Sequence, residues 1–295
     1  MIFGMRRIMQ CFGYSRQAFY KRERLEAKRE LNHRKILQAV QRTRCRQPRV
    51  GGRKLQRHLQ AEGIRVGRDR LLELLRQNNL LIRNKRNYKR TTQSKHEFKT
   101  YKNKIKTLKV TRPNEAYVSD ITYIKVATIY YYLFLITDLF SHKIVGHDLH
   151  RDLTTQGALN ALRMALAQRN DQTISLIHHS DRGRQYCSNE YIDLLESGRV
   201  DISMTEENHV YENALAERVN GILKTEFLLS HQPSIEIAKI AVKESIEIYN
   251  KERLHMSLGY RTPESVHNFV DSSYDLTNDR GSKSLLGDKN LSRCN

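Results

Sequence analysis

The order of strand-like and helix-like segments after residue 115 limits most strongly how this chain can fold. Stretches rich in β-branched and aromatic residues predict strands, and apolar residues at helical spacing predict helices. The predicted order is three consecutive strands, a helix, a strand, a helix and a strand, over residues 116–126, 129–138, 143–149, 155–168, 174–178, 188–197 and 200–204. Strands and helices that alternate in this way indicate an α/β fold with helices packed on a sheet.

Positive charge is concentrated before this region. The sequence has 52 Lys and Arg against 32 Asp and Glu, a formal net charge of +20. Residues 1–113 hold 33 basic and 7 acidic residues, or +26, and residues 114–295 hold the remaining 19 and 25, or −6. Such a concentration predicts that the first part of the chain binds a polyanion, DNA or RNA, and that a domain of another kind follows it.

Two short helices are predicted within the basic part, over residues 53–61 and 68–77, the second with Leu71, Leu72 and Leu75 directed inward. Gly63 is predicted to end the first helix, because glycine adopts the left-handed conformation of a helix C-terminus. Two helices joined by a short turn predict a helix-turn-helix that enters a DNA groove. The alternative is a helical hairpin with a solvent-exposed basic face. The candidate DNA contacts are Arg53, Lys54, Arg68 and Arg70.

Three acidic residues stand in distinctive contexts in the second part of the chain. Asp120 begins the sequence DITYI in the first predicted strand, and Asp181 lies in HHSDRG just after a later strand. Glu217 ends the sequence NALAE, in the first turn of a helix that Asn213 is predicted to cap, with 35 residues between it and Asp181. Mg²⁺ and Mn²⁺ prefer carboxylate oxygens, so the three side chains are predicted to form a metal site.

Each acidic residue also has a plain structural interpretation. Asp120 is compatible with a solvent-facing strand position, Asp181 with a turn, and Glu217 with the positive end of a helix dipole. Glu212 and Glu226 are rival carboxylates near Glu217. The residues by themselves leave these interpretations open.

Histidine and cysteine do not form a zinc-type pattern. At least one of His178 and His179 is interpreted as structural or DNA-contacting, because the expected ions prefer oxygen to imidazole. The four cysteines are scattered and predict free thiols in a reducing cytoplasm. No apolar run reaches transmembrane length and residues 1–12 lack a cleavable signal pattern, so a cytoplasmic, nucleoid-associated protein with no membrane partner is expected.

These motifs together resemble the DDE transposases of the retroviral-integrase superfamily. The resemblance is to bacterial insertion-sequence transposases of the group named after insertion sequence three, whose downstream frame, orfB, encodes the catalytic part. It covers roughly residues 40–270 and includes a fourth motif, YNKERLH, at residues 249–255. It implies a ribonuclease-H-like integrase catalytic core, with a mixed five-stranded sheet and helices, preceded by an all-α helix-turn-helix region.

The resemblance and the composition together divide the chain into four parts. The predicted parts are a helical DNA-binding region, a basic linker, the catalytic domain and a polar, disordered tail, at residues 1–82, 83–112, 113–270 and 271–295.

The resemblance implies an enzyme that cleaves and joins DNA at the ends of an insertion element. Two Mg²⁺ ions, or Mn²⁺ in their place, would be held by Asp120, Asp181 and Glu217. Lys224 and Arg182 are candidate DNA contacts. Helical spacing places Asn220 and Lys224 on the same helix face as Glu217. Arg253 and His255 are expected either to approach DNA or to pack beneath the site. The supporting residues are His179, Asn213, Asn250, Arg253 and His255.

The expected partners are double-stranded DNA, as terminal inverted repeats and target, further copies of the chain, and the product of an upstream frame, orfA. Two alternatives stay open. One is a ribonuclease-H-like nuclease that cuts DNA without joining it. The other is a decayed copy that acts only as a DNA-binding repressor.

Overall fold

The computed structural model describes residues 11, 13, 15–82, 99–169, 173–206 and 213–269. Glu212, the predicted tail and much of the predicted linker lie outside these residues. The chain divides into two compact units, Met1–Lys85 and Arg86–Asn295. Within the described ranges, every helix is either too short or too polar to span a lipid bilayer.

The first unit is helical. Its described helices are α1 (Arg16–Arg46), α2 (Gly52–Ala61) and α3 (Arg68–Gln77). Ser15 caps α1, because its hydroxyl accepts a hydrogen bond of 3.1 Å from the backbone N–H of Ala18. Gly63, which follows α2, has a φ of +78°, in the left-handed region that glycine adopts without strain.

The core of the first unit lies between its three helices. Leu55 and Leu59 of α2 are fully buried there. In α3 the buried residues include Leu71 and Leu74, whereas Leu72, which the sequence placed inward, is only partly buried. The helical repeat allows either set, since both follow a spacing of three and four residues, and packing against the other helices decides which leucines are buried.

A mixed sheet forms the centre of the second unit. Its five main strands are β1 (Ala116–Val126), β2 (Ile129–Asp138), β3 (Ile144–His150), β4 (Leu176–Ser180) and β5 (Val200–Met204). They lie in the order β3-β2-β1-β4-β5, with β1, β2 and β3 antiparallel and β1, β4 and β5 parallel. A two-residue strand that was not predicted, β6 (His231–Gln232), pairs with the end of β1.

Helices cover both faces of the sheet. They are α4 (Thr155–Ala167), α5 (Asn189–Ser197), α6 (Ala214–Thr225), α7 (Ile235–Lys251) and the short α8 (Pro263–Asn268). Strand β2 shows why, because alternate side chains point to opposite faces. Phe134 and Ile136 pack in a core with α4 and α5, and Leu133 and Leu135 pack in a second core with α6 and α7. The predicted α/β fold, preceded by a helical region, is confirmed.

Candidate active site

The candidate site lies where β1 and β4 separate. Strand β4 pairs with β1 only as far as Val118, and β6 pairs with β1 from Lys125 onward. Between these points no described strand covers that edge of β1. Asp120 lies at the start of this open edge, and Asp181 follows the last residue of β4. The carboxyl end of a parallel strand is the usual place for a site in an α/β sheet.

The carboxylate of Asp120 is held in place by α6. The side-chain amide of Asn220 donates a hydrogen bond of 2.7 Å to Oδ2 of Asp120. Burial and the neighbouring charge of Asp181 raise the pKa of Asp120 to about 7, with the Asn220 hydrogen bond opposing the rise and Glu217 adding to it. The three predicted acidic side chains therefore lie close enough to interact electrostatically.

Asp181 forms the turn that was one of its two interpretations from the sequence. Its Oδ1 accepts a hydrogen bond of 2.9 Å from the backbone N–H of Gly183, which closes a turn. A Cβ at Gly183 would lie 2.9 Å from that same oxygen, so a larger residue would displace the carboxylate. The turn thus fixes Asp181 beside Asp120.

Glu217 stands on the first turn of α6 with its side chain exposed, and partial burial raises its pKa. Asn213 precedes the helix, but its side chain does not cap it as the sequence predicted. The Asn213 amide instead donates a hydrogen bond of 2.8 Å to the carbonyl of Ser119, next to Asp120. This residue therefore fastens the start of α6 to β1.

Two further residues of α6 share the face that carries Glu217. Asn220 is one turn along the helix, and sequence reasoning placed it on this face without giving it a role. Lys224 is two turns along, and its ammonium lies 3.8 Å from the centre of the Tyr123 ring. Burial lowers the pKa of Lys224, while the charge of Asp120 opposes that shift. The face of α6 toward β1 thus carries a carboxylate, an amide and the ammonium group of a lysine.

The two histidines before Asp181 are built into the sheet. Nε2 of His178 lies 2.6 Å from Oγ of Ser119 and 2.9 Å from the hydroxyl of Tyr191. Burial lowers the pKa of His178 to about 3, so this ring is neutral. His179 is buried as well, with Nδ1 2.8 Å from Oγ of Ser203. Both rings link β4 to its neighbours.

The motif at residues 249–255 packs against β3 and the end of α6. Asn250 accepts a hydrogen bond from the N–H of Ile144 and donates one to its carbonyl, each 2.9 Å long. Arg253 donates two hydrogen bonds of 2.9 and 2.8 Å to Glu226, and its third nitrogen lies 2.8 Å from Nε2 of His255. Arg253 and His255 are buried, so they pack in the interior of the second unit. Glu226 is engaged there and is no rival to Glu217.

Comparison with known proteins identifies the family. Family models described as "Integrase core domain" match residues 110–209 and 198–263. The "Insertion element IS600 uncharacterized 31 kDa protein" of Shigella sonnei is 35% identical over 260 residues, which are 86% of this chain and 95% of that protein. "Transposase InsF for insertion sequence IS3A" of Escherichia coli (strain K12) is 31% identical over 229 residues, 77% of this chain and 79% of that protein. The chain belongs to the IS3-type transposases with an integrase core.

The transposase is therefore an enzyme of DNA transposition, a polynucleotidyl transferase. Among solved structures, the "HTLV-2 integrase catalytic core domain in complex with magnesium (trimeric form)" is similar, with 20% identity and a TM-score of 0.43. That similarity covers 53% of the transposase and 97% of the viral domain.

The predicted DNA contacts of the transposase lie in both units. In the first unit Arg53 is exposed and Lys54 is partly buried. Arg68 pairs with the adjacent Asp69 at 2.8 Å, and Nη2 of Arg70 lies 2.8 Å from His33. In the second unit, Nε of Arg182 donates a hydrogen bond of 2.8 Å to the carbonyl of Thr205, linking the loops that follow β4 and β5.

The buried Arg253–Glu226 pair should matter for the stability of the transposase. Arg253→Met is expected to lower the free energy of unfolding by about 3 kcal/mol, because it removes the buried guanidinium that donates two hydrogen bonds to Glu226. Urea denaturation measures the change. The control is Lys251→Met, which removes an exposed helical pair with Glu247 and should cost much less, because water already screens that pair. Equal costs for the two variants would contradict this assignment.

Proposed function

We propose that this transposase cleaves DNA at the ends of its insertion element and joins the freed 3′ ends to other DNA at one site. The observation that carries the proposal is the convergence of Asp120 with Asp181 and Glu217 at the open edge of β1, where α6 also supplies Lys224. A cluster of carboxylates with a base beside it suits a reaction at a DNA phosphate.

The donor chemistry of the site fits divalent metal ions. Asp181 and Glu217 both raise the pKa of Asp120, and a hard cation bound between the carboxylates would relieve that repulsion. Among the described residues, however, no group of three or more His, Cys, Asp or Glu side chains is arranged to hold a metal ion. Asp120, Asp181 and Glu217 are nevertheless the proposed ligands. Their side chains would have to move closer together to bind a metal ion. Two bound Mg²⁺ or Mn²⁺ ions would supply activation of the attacking oxygen and stabilisation of the leaving oxygen.

The chain's own residues position the reaction. Asp120 is held by a hydrogen bond from α6, and Asp181 is held by the turn after β4. Glu217 is exposed on α6, so its distance from the other two carboxylates depends on the position of that helix. Asn220 orients the Asp120 carboxylate through its amide hydrogen. Lys224 is the proposed contact for a phosphate beside the scissile bond, since its ammonium already lies on the catalytic face.

DNA recognition is assigned mainly to the basic first unit. We expect its helices α2 and α3 to act as a helix-turn-helix on the terminal inverted repeats. Joining two element ends to one target requires more than one copy of the chain, so a multimer on DNA is expected. An upstream-frame product is a further proposed partner.

A cut-versus-join assay tests the proposed function. Oligonucleotides that carry the terminal sequences of the encoding element are incubated with the transposase and Mg²⁺, and both nicked and joined products are measured. We expect both. Nicks without joined products would favour a ribonuclease-H-like nuclease, and binding without nicks would favour a decayed copy that acts as a repressor.

Lys224→Glu tests the proposed phosphate contact. The variant should bind element-end DNA about tenfold more weakly and process it more slowly, because a positive charge beside the scissile phosphate becomes negative. The helix content measured by circular dichroism should not change. The matched control is Lys239→Glu, an exposed position on α7. If both variants join ends like the parent protein at moderate salt, Lys224 is a solvated helix residue.

A further inference from the structure

An aromatic surface lies at the end of the sheet next to the candidate active site. Tyr123 of β1 lies opposite Tyr132 of β2, and Lys125 lies opposite Tyr130. Residues opposite each other in an antiparallel pair share a face, and residues two apart on a strand share a face as well. These four side chains therefore lie on one side of the β1–β2 hairpin, and we call them the tyrosine surface.

Tyr132 packs against the core that contains α4 and α5, whereas the exposure of Tyr130 is not explained by the packing of the fold. Tyr130 is 52% exposed, and its neighbour Ile129 at the hairpin end is 49% exposed. The rings of Tyr123 and Tyr130 meet edge to face, with centroids 5.5 Å apart, so the exposed ring is held in a defined orientation. An ordered, exposed aromatic ring is suited to stacking on a flat partner.

Two lysines border these rings. Lys224 of α6 lies over the face of Tyr123, and Lys125 stands beside Tyr130. Among the described residues neither lysine forms an ion pair with a carboxylate. Rings bordered by lysines form a surface for single-stranded nucleic acid, in which bases stack on aromatic rings and phosphates meet positive charge. A second copy of the same surface is a poorer occupant, because its lysines would face like charges.

The tyrosine surface is also close to the reacting groups. Tyr123 follows Asp120 by three residues on β1, roughly 10 Å at about 3.3 Å per residue, and Lys125, opposite Tyr130, follows it by five residues, roughly 17 Å. Residues an odd number apart point to opposite faces, so the tyrosine surface and the Asp120 carboxylate meet around the open edge of β1. Lys224 touches the Tyr123 ring and feels the charge of Asp120, so it connects the surface to the site. A DNA strand that leaves the site past the open edge of β1 would reach these rings.

We infer that the tyrosine surface binds unpaired bases of the DNA end beside the scissile phosphate, with Tyr130 stacking on a base and Lys125 contacting its phosphate. The inference rests on the proposed function, since it assigns the surface to the same substrate. Under this inference the tyrosine surface recognises the unpaired end of the DNA, and the first unit recognises the duplex. Tyr130 is thus a positioning residue for the DNA end.

The test compares the parent protein with Tyr130→Ala and Tyr130→Phe. The probe is an oligonucleotide duplex with a terminal sequence of the element, whose last nucleotides are unpaired and include 2-aminopurine. Stacking on tyrosine should quench the probe's fluorescence with the parent protein and with Tyr130→Phe, which keeps the ring. Tyr130→Ala should bind this probe about tenfold more weakly, equivalent to about 1.4 kcal/mol, without quenching it. Tyr130→Ala should bind a fully paired duplex like the parent.

A control variant shows whether the loss is specific to the tyrosine surface. Ile240→Ala removes an exposed apolar side chain from α7 and should change neither binding nor quenching. Equal affinity of the parent and Tyr130→Ala for the unpaired probe would overturn the inference, as would an equal loss on paired and unpaired DNA. A changed oligomeric state with unchanged quenching would assign the surface to a protein interface and overturn it too. Quenching by the parent without any cleavage in Mg²⁺ would support the stacking surface while refuting the proposed function.

Discussion

Asp181→Asn is expected to reduce Mg²⁺-dependent cleavage of element-end DNA by more than about 10³-fold. The substitution keeps the size of the side chain and removes a charge that a metal ion would require. Bound metal ions supply several kcal/mol of transition-state stabilisation, and each 1.36 kcal/mol is a factor of ten in rate. Asp120→Asn and Glu217→Gln should have effects of the same order. Gel assays of nicked product measure the loss.

DNA binding and folding provide the controls for this prediction. Each variant should bind the same DNA with nearly the parent affinity, because the proposed duplex contacts lie mostly in the first unit. Asp193→Asn is the matched control, since Asp193 is an exposed acidic residue of α5 that is not one of the three proposed metal ligands. It should cleave at the parent rate. Full Mg²⁺-dependent activity of Asp181→Asn would contradict the assignment of Asp181 as a metal ligand.

The second large effect is expected on the salt dependence of DNA binding. A variant of the whole chain that replaces four basic residues of the first unit by glutamine, at Arg53, Lys54, Arg68 and Arg70, should bind DNA with a shallower dependence on salt. Each phosphate contact contributes about 0.9 to the slope of log affinity against log salt, so the loss of four contacts should reduce the slope by about 3 to 4. Affinity measured over a series of salt concentrations gives the slope.

A matched variant tests whether the position of the charge matters. Replacing three exposed lysines of α7 by glutamine, at Lys239, Lys243 and Lys251, removes three positive charges from the second unit, against four in the first variant. Its slope should remain within about 1 of the parent value. If the two variants change the slope equally, the first unit does not carry the principal DNA footprint.

The sequence was sufficient for most of the secondary structure and for its order. Strand β2 is an example, since its apolar run ends at the charged Asp138 and its alternate residues fill both cores. Helix α3 shows the limit, because the sequence predicted its bounds and yet placed Leu72 in the core instead of Leu74. On a short helix rich in leucine, several faces are apolar, and packing against the other helices decides which of them is buried.

The candidate site was predictable to a similar degree. The contexts of Asp120, Asp181 and Glu217 singled these residues out, and the helical spacing put Lys224 on the same face as Glu217. The role of Asn213 was predicted wrongly in part, because a residue that starts a helix normally caps it. Its amide instead reaches Ser119, which lies 94 positions away in the sequence.

What the sequence determined by itself is the set of elements, their order and the residue types that carry the chemistry. These properties are local, since strands repeat every two residues and helices every 3.6. Only the tertiary structure decided which polar groups meet. The hydrogen bond from Asn220 to Asp120 spans 100 positions, and the pairing of Arg253 with Glu226 spans 27. Such contacts depend on the rotation of α6 and α7 against the sheet, which is fixed by the packing of both cores together and by no local pattern.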